Sequence, residues 1–194
     1  MRIIAGTYRS RMLDAPPGWS IRPSSGRLRE TLFNVLAPRT EGAAFLDLYA
    51  GSGAVGLEAL SRGAAPVAFV ELDRAALKIL RGNMARLGIV SGVRVHAGSV
   101  CGFLRSGATA GPKAQRYDIV FLDPPYDAAE EYAASLAFLG GAGSAILAPG
   151  ALVVAEHRRK LALDERYGGL ERTRLLQQGD AALSFYAVAQ TADE

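Results

Sequence analysis

Cysteine is nearly missing: Cys101 is the only one in 194 residues, so no internal disulfide can form and a reducing compartment suits the chain. Histidine is almost as scarce. His96 and His157 lie far apart and make no cluster with metal-ligand spacing, so no resident metal is expected. Long apolar runs are absent as well. None approaches the ~20 residues that cross a bilayer, and the start Met1-Arg2-Ile3-Ile4-Ala5-Gly6 has too short an apolar part for a secretion signal. The expectation is a cytoplasmic protein with no membrane partner. Lysine, finally, numbers 3 against 19 arginines, so a preference for arginine at any one site says little about a partner.

What is present is apolar enough to fold: 49% hydrophobic residues over this length support one well-cored domain with a small appendage. Charge is the more telling quantity. Residues 1–39 hold Arg2, Arg9, Arg11, Arg22, Arg27, Arg29 and Arg39 against Asp14 and Glu30, a balance of +5, while the remaining 15 basic and 17 acidic residues give −2. A basic N-terminal arm and helix over 1–39, facing a polyanion, and a cofactor domain over 40–194 are the predicted organisation.

Arg2 to Leu13 alternates apolar and polar residues around Gly6-Thr7, which predicts a hairpin arm broken by Pro16-Pro17-Gly18. Arg22-Pro23 reads as extended. A helix follows over Arg27 to Leu36, with Leu28, Leu32, Val35 and Leu36 on one face and Pro38 as its stop. Apolar runs at 45–49, 67–71, 93–97, 118–122 and 151–155 predict five strands, separated by helical patterns ending near Arg62, spanning Arg74 to Leu87 and spanning Ala129 to Leu139. Residues 106–116 read as a loop. Leu170 to Gln177 and Leu183 to Ala189 read as an antiparallel pair. The fold class is therefore α/β: a doubly wound, mostly parallel, Rossmann-like sheet of seven strands, with an antiparallel C-terminal strand pair and a small basic N-terminal arm.

The run Leu46-Asp47-Leu48-Tyr49-Ala50-Gly51-Ser52-Gly53-Ala54 passes from strand through a tight turn into a helix. Glycines at 51 and 53 permit backbone angles and a close ligand approach that other residues prevent. Gly51-x-Gly53-x-x-Gly56 fits a dinucleotide fingerprint too. Two acids bear on the choice. Asp47 lies inside the strand, where an unpaired carboxylate is costly, so it must accept from turn amides or face a cationic ligand. Glu71 ends the next strand, where an acid can accept from both hydroxyls of a ribose. That pair resembles the S-adenosylmethionine site of class I methyltransferases, whose cofactor carries a ribose and a positive sulfonium but no phosphate. Ser99 stands where such sites often place Asp or Asn against the adenine amino group; its shorter hydroxyl leaves more of the recognition to backbone.

A second corner is Asp123-Pro124-Pro125-Tyr126, following the strand 118–122. Adjacent prolines fix their φ angles and donate no amide hydrogens, so the Asp123 carboxyl and the Pro124 carbonyl are a stiff pair of acceptors. Paired acceptors suit an amine. Gripping both hydrogens of an exocyclic base amine aims its delocalised lone pair at an electrophilic methyl, and Tyr126 offers a flat face on which an unstacked base can lie. Cys101, with no proline before it and no base beside it, reads as a buried structural thiol.

Arg2-Ile3-Ile4-Ala5-Gly6, Arg22-Pro23 with Arg27-Leu28-Arg29-Glu30-Thr31-Leu32-Phe33-Asn34, and the two corners together resemble the RsmD-type methyltransferases, which methylate N2 of a guanine in 16S ribosomal RNA. The likeness spans nearly the whole chain. It implies S-adenosylmethionine held by Asp47, Gly51, Gly53, Glu71 and Ser99, the target amine at Asp123, Pro124, Pro125 and Tyr126, and RNA at Arg22, Arg27 and Arg29. It also implies 16S rRNA, within the small subunit or an assembly intermediate, as partner. Ser10 departs from the family, where a glycine is usual, and Ser24-Ser25-Gly26 stands in place of a Thr-Thr-Asp type sequence. Alternatives are methylation of adenine N6 in DNA or another RNA, a nucleotide-linked oxidoreductase, and a noncatalytic RNA-binding module.

Overall fold

Phe45, Leu46, Asp47 and Leu48 are all buried, as expected of a strand covered on both faces of a parallel sheet. The computed structural model, which describes residues 1–15, 23–111, 114–125 and 128–189, builds its first unit, Met1–Val100, around this strand. There α1 (Pro23–Thr40) precedes β1 (Phe45–Leu48), α2 (Ala54–Ser61), β2 (Val67–Glu71), α3 (Arg74–Leu87) and β3 (Val93–Ala97). The strands run parallel in the order β3-β2-β1, with Asp47 opposite Phe69 and Glu71 opposite Ala97. Both acids thus sit near the carboxyl ends of their strands.

The second unit, Cys101–Glu194, holds nearly all of α4 (Val100–Thr109), then β4 (Tyr117–Leu122), α5 (Ala129–Leu139), β5 (Leu147–Arg158), β6 (Arg166–Tyr167), β7 (Leu170–Gln178) and β8 (Ala181–Val188). Their order is β4-β5-β8-β7-β6; β4 and β5 are parallel, and the remaining pairs are antiparallel. Among the described residues there are eight strands, three parallel ones in the first unit and, in the second, a parallel pair continued by antiparallel C-terminal strands. The strand beyond the predicted seven is β6, two residues long and too short to leave a periodic signal.

Met1 to Asp14 folds back on itself as a hairpin-like arm, with one antiparallel bridge between Arg2 and Met12 and bonds from the Ile3 amide to Arg11 and from the Ser10 amide to Ile3. It lies against α2. The Ile4 and Ala5 amides donate to Glu58 at 2.7 and 3.0 Å, and the Thr7 and Tyr8 amides to the carbonyl and hydroxyl of Ser61. Gly6 is required here: a Cβ would stand 1.7 Å from the Ser61 carbonyl oxygen.

Several boundaries move. α1 begins at Pro23, a residue suited to a first helical turn because its missing amide has no partner to lose there. It also runs through Pro38 to Thr40, whose hydroxyl donates to the Leu36 carbonyl, so Pro38 does not end it. α4 continues to Thr109, so only the later part of 106–116 is loop, and Cys101 on its first turn is exposed rather than buried. Glycines at 102 and 107 had weakened the helical pattern. The Pro16-Pro17-Gly18 break lies outside the described residues. Among those described, no helix is long and apolar enough to cross a membrane.

Ser10 takes a left-handed φ of 68°, a backbone conformation that glycine adopts without the steric cost of a side chain. Ser10→Gly is expected to raise the thermal midpoint by about 1–3 °C, read by differential scanning fluorimetry.

Candidate active site

The first corner is strained where a ligand would meet it. Tyr49, Gly51 and Gly53 have φ of 61°, 56° and 79°, so the chain turns left-handed three times in five residues, once at a side chain that resists it. The surroundings hold it there. The Ala50 amide donates to the Val70 carbonyl at 3.0 Å, the Gly53 amide to Ala50 at 2.7 Å, and the Gly51 amide to Glu71 Oε2 at 2.7 Å.

Glu71 is thus partly committed to the protein. Its Oε1 accepts from the Asp73 amide at 2.7 Å, so each oxygen carries one backbone bond and keeps lone-pair capacity for a further donor. A diol is a pair of such donors. Asp47, 2% exposed, spends Oδ2 on the Gly56 amide at 2.8 Å in the first turn of α2. The Gly56 amide is thus one of the turn amides expected to donate to it. Gly56 has its own constraint: an added Cβ would come within 2.3 Å of the Phe69 ring and 3.0 Å of Asp47 Oδ2, so glycine lets α2 lie directly on β2. Ser99 is exposed, one residue past a Gly98 amide that donates to the Glu71 carbonyl at 2.9 Å.

Two carboxylates at the turn fit a ligand with a diol and a positive centre, and disfavour a pyrophosphate. Such acceptors fit the diol and the positive sulfur of S-adenosylmethionine.

The second corner leaves β4 at Leu122. Asp123 is partly exposed as a residue, yet burial of its carboxyl pushes the pKa up to about 7. Pro124 is buried and Pro125 exposed, its carbonyl accepting from the Ala128 amide at 2.9 Å. Tyr126 lies outside the described residues.

Of the three arginines expected at the RNA, Arg22 lies outside the described residues and Arg27 is exposed on α1. Arg29 turns inward. It is 8% exposed, donates to the Arg2 carbonyl at 2.7 Å and stands 3.8 Å from Glu58, which leaves little of its guanidinium for RNA. Charge counting cannot distinguish an inward arginine from an outward one. Two residues that sequence reading missed are Glu58 and Asn83, both fully buried on helices flanking the turn. A polar residue interrupting an apolar helical stripe was the available signal.

Residues 1–187 match the family model described as "Conserved hypothetical protein 95". "Putative rRNA methyltransferase YlbH" of Bacillus subtilis is 33% identical over 186 residues, 96% of this chain and 98% of that protein. The chain belongs to the RsmD-type methyltransferase family. "Ribosomal RNA small subunit methyltransferase D" of Escherichia coli is 44% identical over 126 residues, which span 65% of this chain and 60% of that one. Among solved structures, "Putative methyltransferase yhhF from Escherichia coli" superposes with a TM-score of 0.81 at 36% identity, covering 97% of both chains. Within this RsmD-type chain the N-terminal arm, matched along with the rest, is part of the first unit and packs on the helix that follows the glycine turn.

Gly56→Ala is expected to lose S-adenosylhomocysteine binding by calorimetry and to lower stability by about 1–3 kcal/mol, since the methyl drives α2 off β2.

Proposed function

We propose that the chain transfers a methyl group from S-adenosylmethionine to the exocyclic N2 amine of a guanine in small-subunit 16S ribosomal RNA. The observation that carries this reading is Asp123: a carboxyl at the end of a buried parallel strand, shielded enough to have a pKa near 7, and followed by two prolines. The cofactor supplies an electrophilic methyl on a positive sulfur. The chain's residues do the rest.

Ionised, Asp123 offers two acceptor oxygens, and the guanine Watson–Crick edge offers two adjacent donors, N1–H and N2–H. Held so, N2 presents its lone pair for in-line attack: the N–C bond forms as the S–C bond breaks. The surplus proton on nitrogen then passes to Asp123 or to water. A pKa near 7 suits that exchange at neutral pH. Arg27 meets the RNA backbone as a phosphate contact. Support for ribosomal RNA comes from the names of the relatives and from the basic N-terminal fifth.

The same shielded carboxyl favours a second reading, adenine N6. Protonated, Asp123 donates to N1 and accepts from N6, which matches adenine. The two readings predict opposite pH dependence. For guanine, kcat/KM rises as Asp123 ionises through about pH 7; for adenine it falls. Asp123→Asn keeps an acceptor and cannot ionise, so its profile is expected to be flat at a rate at least about tenfold lower. Stability carries a sign of its own. Between 3.8 and about 7 the folded chain keeps a proton that the unfolded chain releases, so this group's contribution declines as pH climbs through that window.

Labelled methyl transfer to unmodified small subunits and to bare 16S rRNA, followed by nucleoside analysis, tests the proposal directly. N2-methylguanosine is the expected product, and label in N6-methyladenosine overturns it. Arg27→Ala is expected to weaken RNA binding across sequences and to reduce the salt slope by about one phosphate contact, with S-adenosylhomocysteine affinity unchanged.

A further inference from the structure

We propose that Asn83 is a positioning residue for the cofactor turn, fixing the Ser52–Gly53 corner from beneath through α3; the assignment rests on the cofactor reading above. The buried face of α3 is otherwise apolar, built from Ala76, Leu77, Leu80, Met84 and Leu87. Asn83 sits in the middle of it at 0% exposure. An amide in such a stripe costs free energy unless every polar atom finds a partner.

Here the amide is fully engaged. Nδ2 donates to the Ser52 carbonyl at 3.0 Å and to the Asp14 carbonyl at 3.1 Å, and Oδ1 accepts from the Asp14 amide at 2.8 Å. Two carbonyls on one side and an N–H on the other fix which way the amide points. The other bonds that shape the turn come from its own strand and helix, from Val70 or from Glu71. Asn83 reaches it from α3, thirty-one residues along the chain.

A second contact at the same place points the same way. Leu80, one turn earlier on α3, occupies the space a Cβ on Gly53 would need, at 2.3 Å. Leu80 presses up under Gly53 while Asn83 holds the Ser52 carbonyl down. Between them the peptide joining 52 and 53 is set in plane and height. That matters because a turn with left-handed angles at 49, 51 and 53 stores strain and relaxes when one restraint is removed.

Asn83 is itself braced from outside. Asp14 bonds it through both main-chain groups, and the Asp14 carboxylate is gripped by both terminal nitrogens of the Arg86 guanidinium. This grip holds the Asp14 carboxyl below the usual carboxylate range. Arg11 adds a bond to the Arg86 carbonyl at 3.2 Å. The arm therefore serves as the outer wall of the clamp. Its inner face is Asn83, and the jaw is Ser52.

The test compares wild type with Asn83→Asp, which keeps the size but turns an acceptor toward two carbonyls, and with Arg86→Ala, a surface change that leaves the core intact. Calorimetry with S-adenosylhomocysteine gives affinity and the competent fraction separately, and hydrogen exchange on ligand-free protein reports the amides of residues 50–57. For Asn83→Asp the dissociation constant is expected to rise about tenfold, the loss of the buried hydrogen bond to the Ser52 carbonyl, with near-complete stoichiometry and faster exchange at 50–57. For Arg86→Ala a rise of about two- to threefold is expected. In turnover, KM for S-adenosylmethionine rises while KM for RNA does not.

Reduced stoichiometry at unchanged affinity means that Asn83 only stabilises the fold, and overturns the proposal. So does unchanged affinity in folded Asn83→Asp or, should that variant not fold, in Arg86→Ala. A wild-type chain that methylates RNA while these variants bind normally sinks the Asn83 assignment alone; a wild-type chain that binds no S-adenosylhomocysteine sinks the cofactor reading with it.

Discussion

A carboxylate with no exposure to water holds the first unit together. Glu58, on α2, is 0% exposed and accepts from the Ile4 and Ala5 amides and from Arg62 Nε, with Arg29 beside it. Desolvating a charge costs several kcal/mol, and only a full set of donors makes it tolerable. The donors come from the arm and from Arg62, which caps the end of α2, while Arg29 of α1 supplies a positive charge 3.8 Å away. Each of those elements is therefore needed by the same buried group, and α2 is the helix that springs from the glycine turn. Arm, helix and cofactor corner are one mechanical piece.

This accounts for the inward turn of Arg29. The basic N-terminal fifth reads as a polyanion surface from its charge count, yet part of that charge neutralises Glu58 and tethers the Arg2 carbonyl. Arg86 on α3, outside that fifth, spends its charge on Asp14 of the arm in the same way. Arginine in this segment does two jobs, and only the outward-facing members, Arg27 among them, remain for a partner.

The strands and the two corners were legible because their signals are local. Asp47, Gly51, Gly53 and Gly56 lie within ten residues of one another, and buried parallel strands announce themselves as apolar runs. Asn83 and Glu58 were not legible, because Asn83 bonds partners 31 and 69 residues away, Glu58 bonds amides 53 and 54 residues away, and a lone polar residue in a helix looks like a surface position. Helix ends were misjudged for a different reason. Proline at 38 and glycines at 102 and 107 lower intrinsic helicity, but packing of Leu28, Leu32, Phe33 and Leu36 on one helix, and of Val100 and Leu104 on the other, outweighs that preference. The bond from the Gly98 amide to the Glu71 carbonyl, which brings Ser99 near the end of β2, is one that no spacing rule supplies.

Cys101 lies two residues beyond Ser99, on the outer side of α4, and the chain has no second thiol. A maleimide dye would therefore attach at a single known point without any engineered cysteine. Its emission would report on the first turn of α4 from an exposed position, while Val100 and Leu104 of the same helix stay buried.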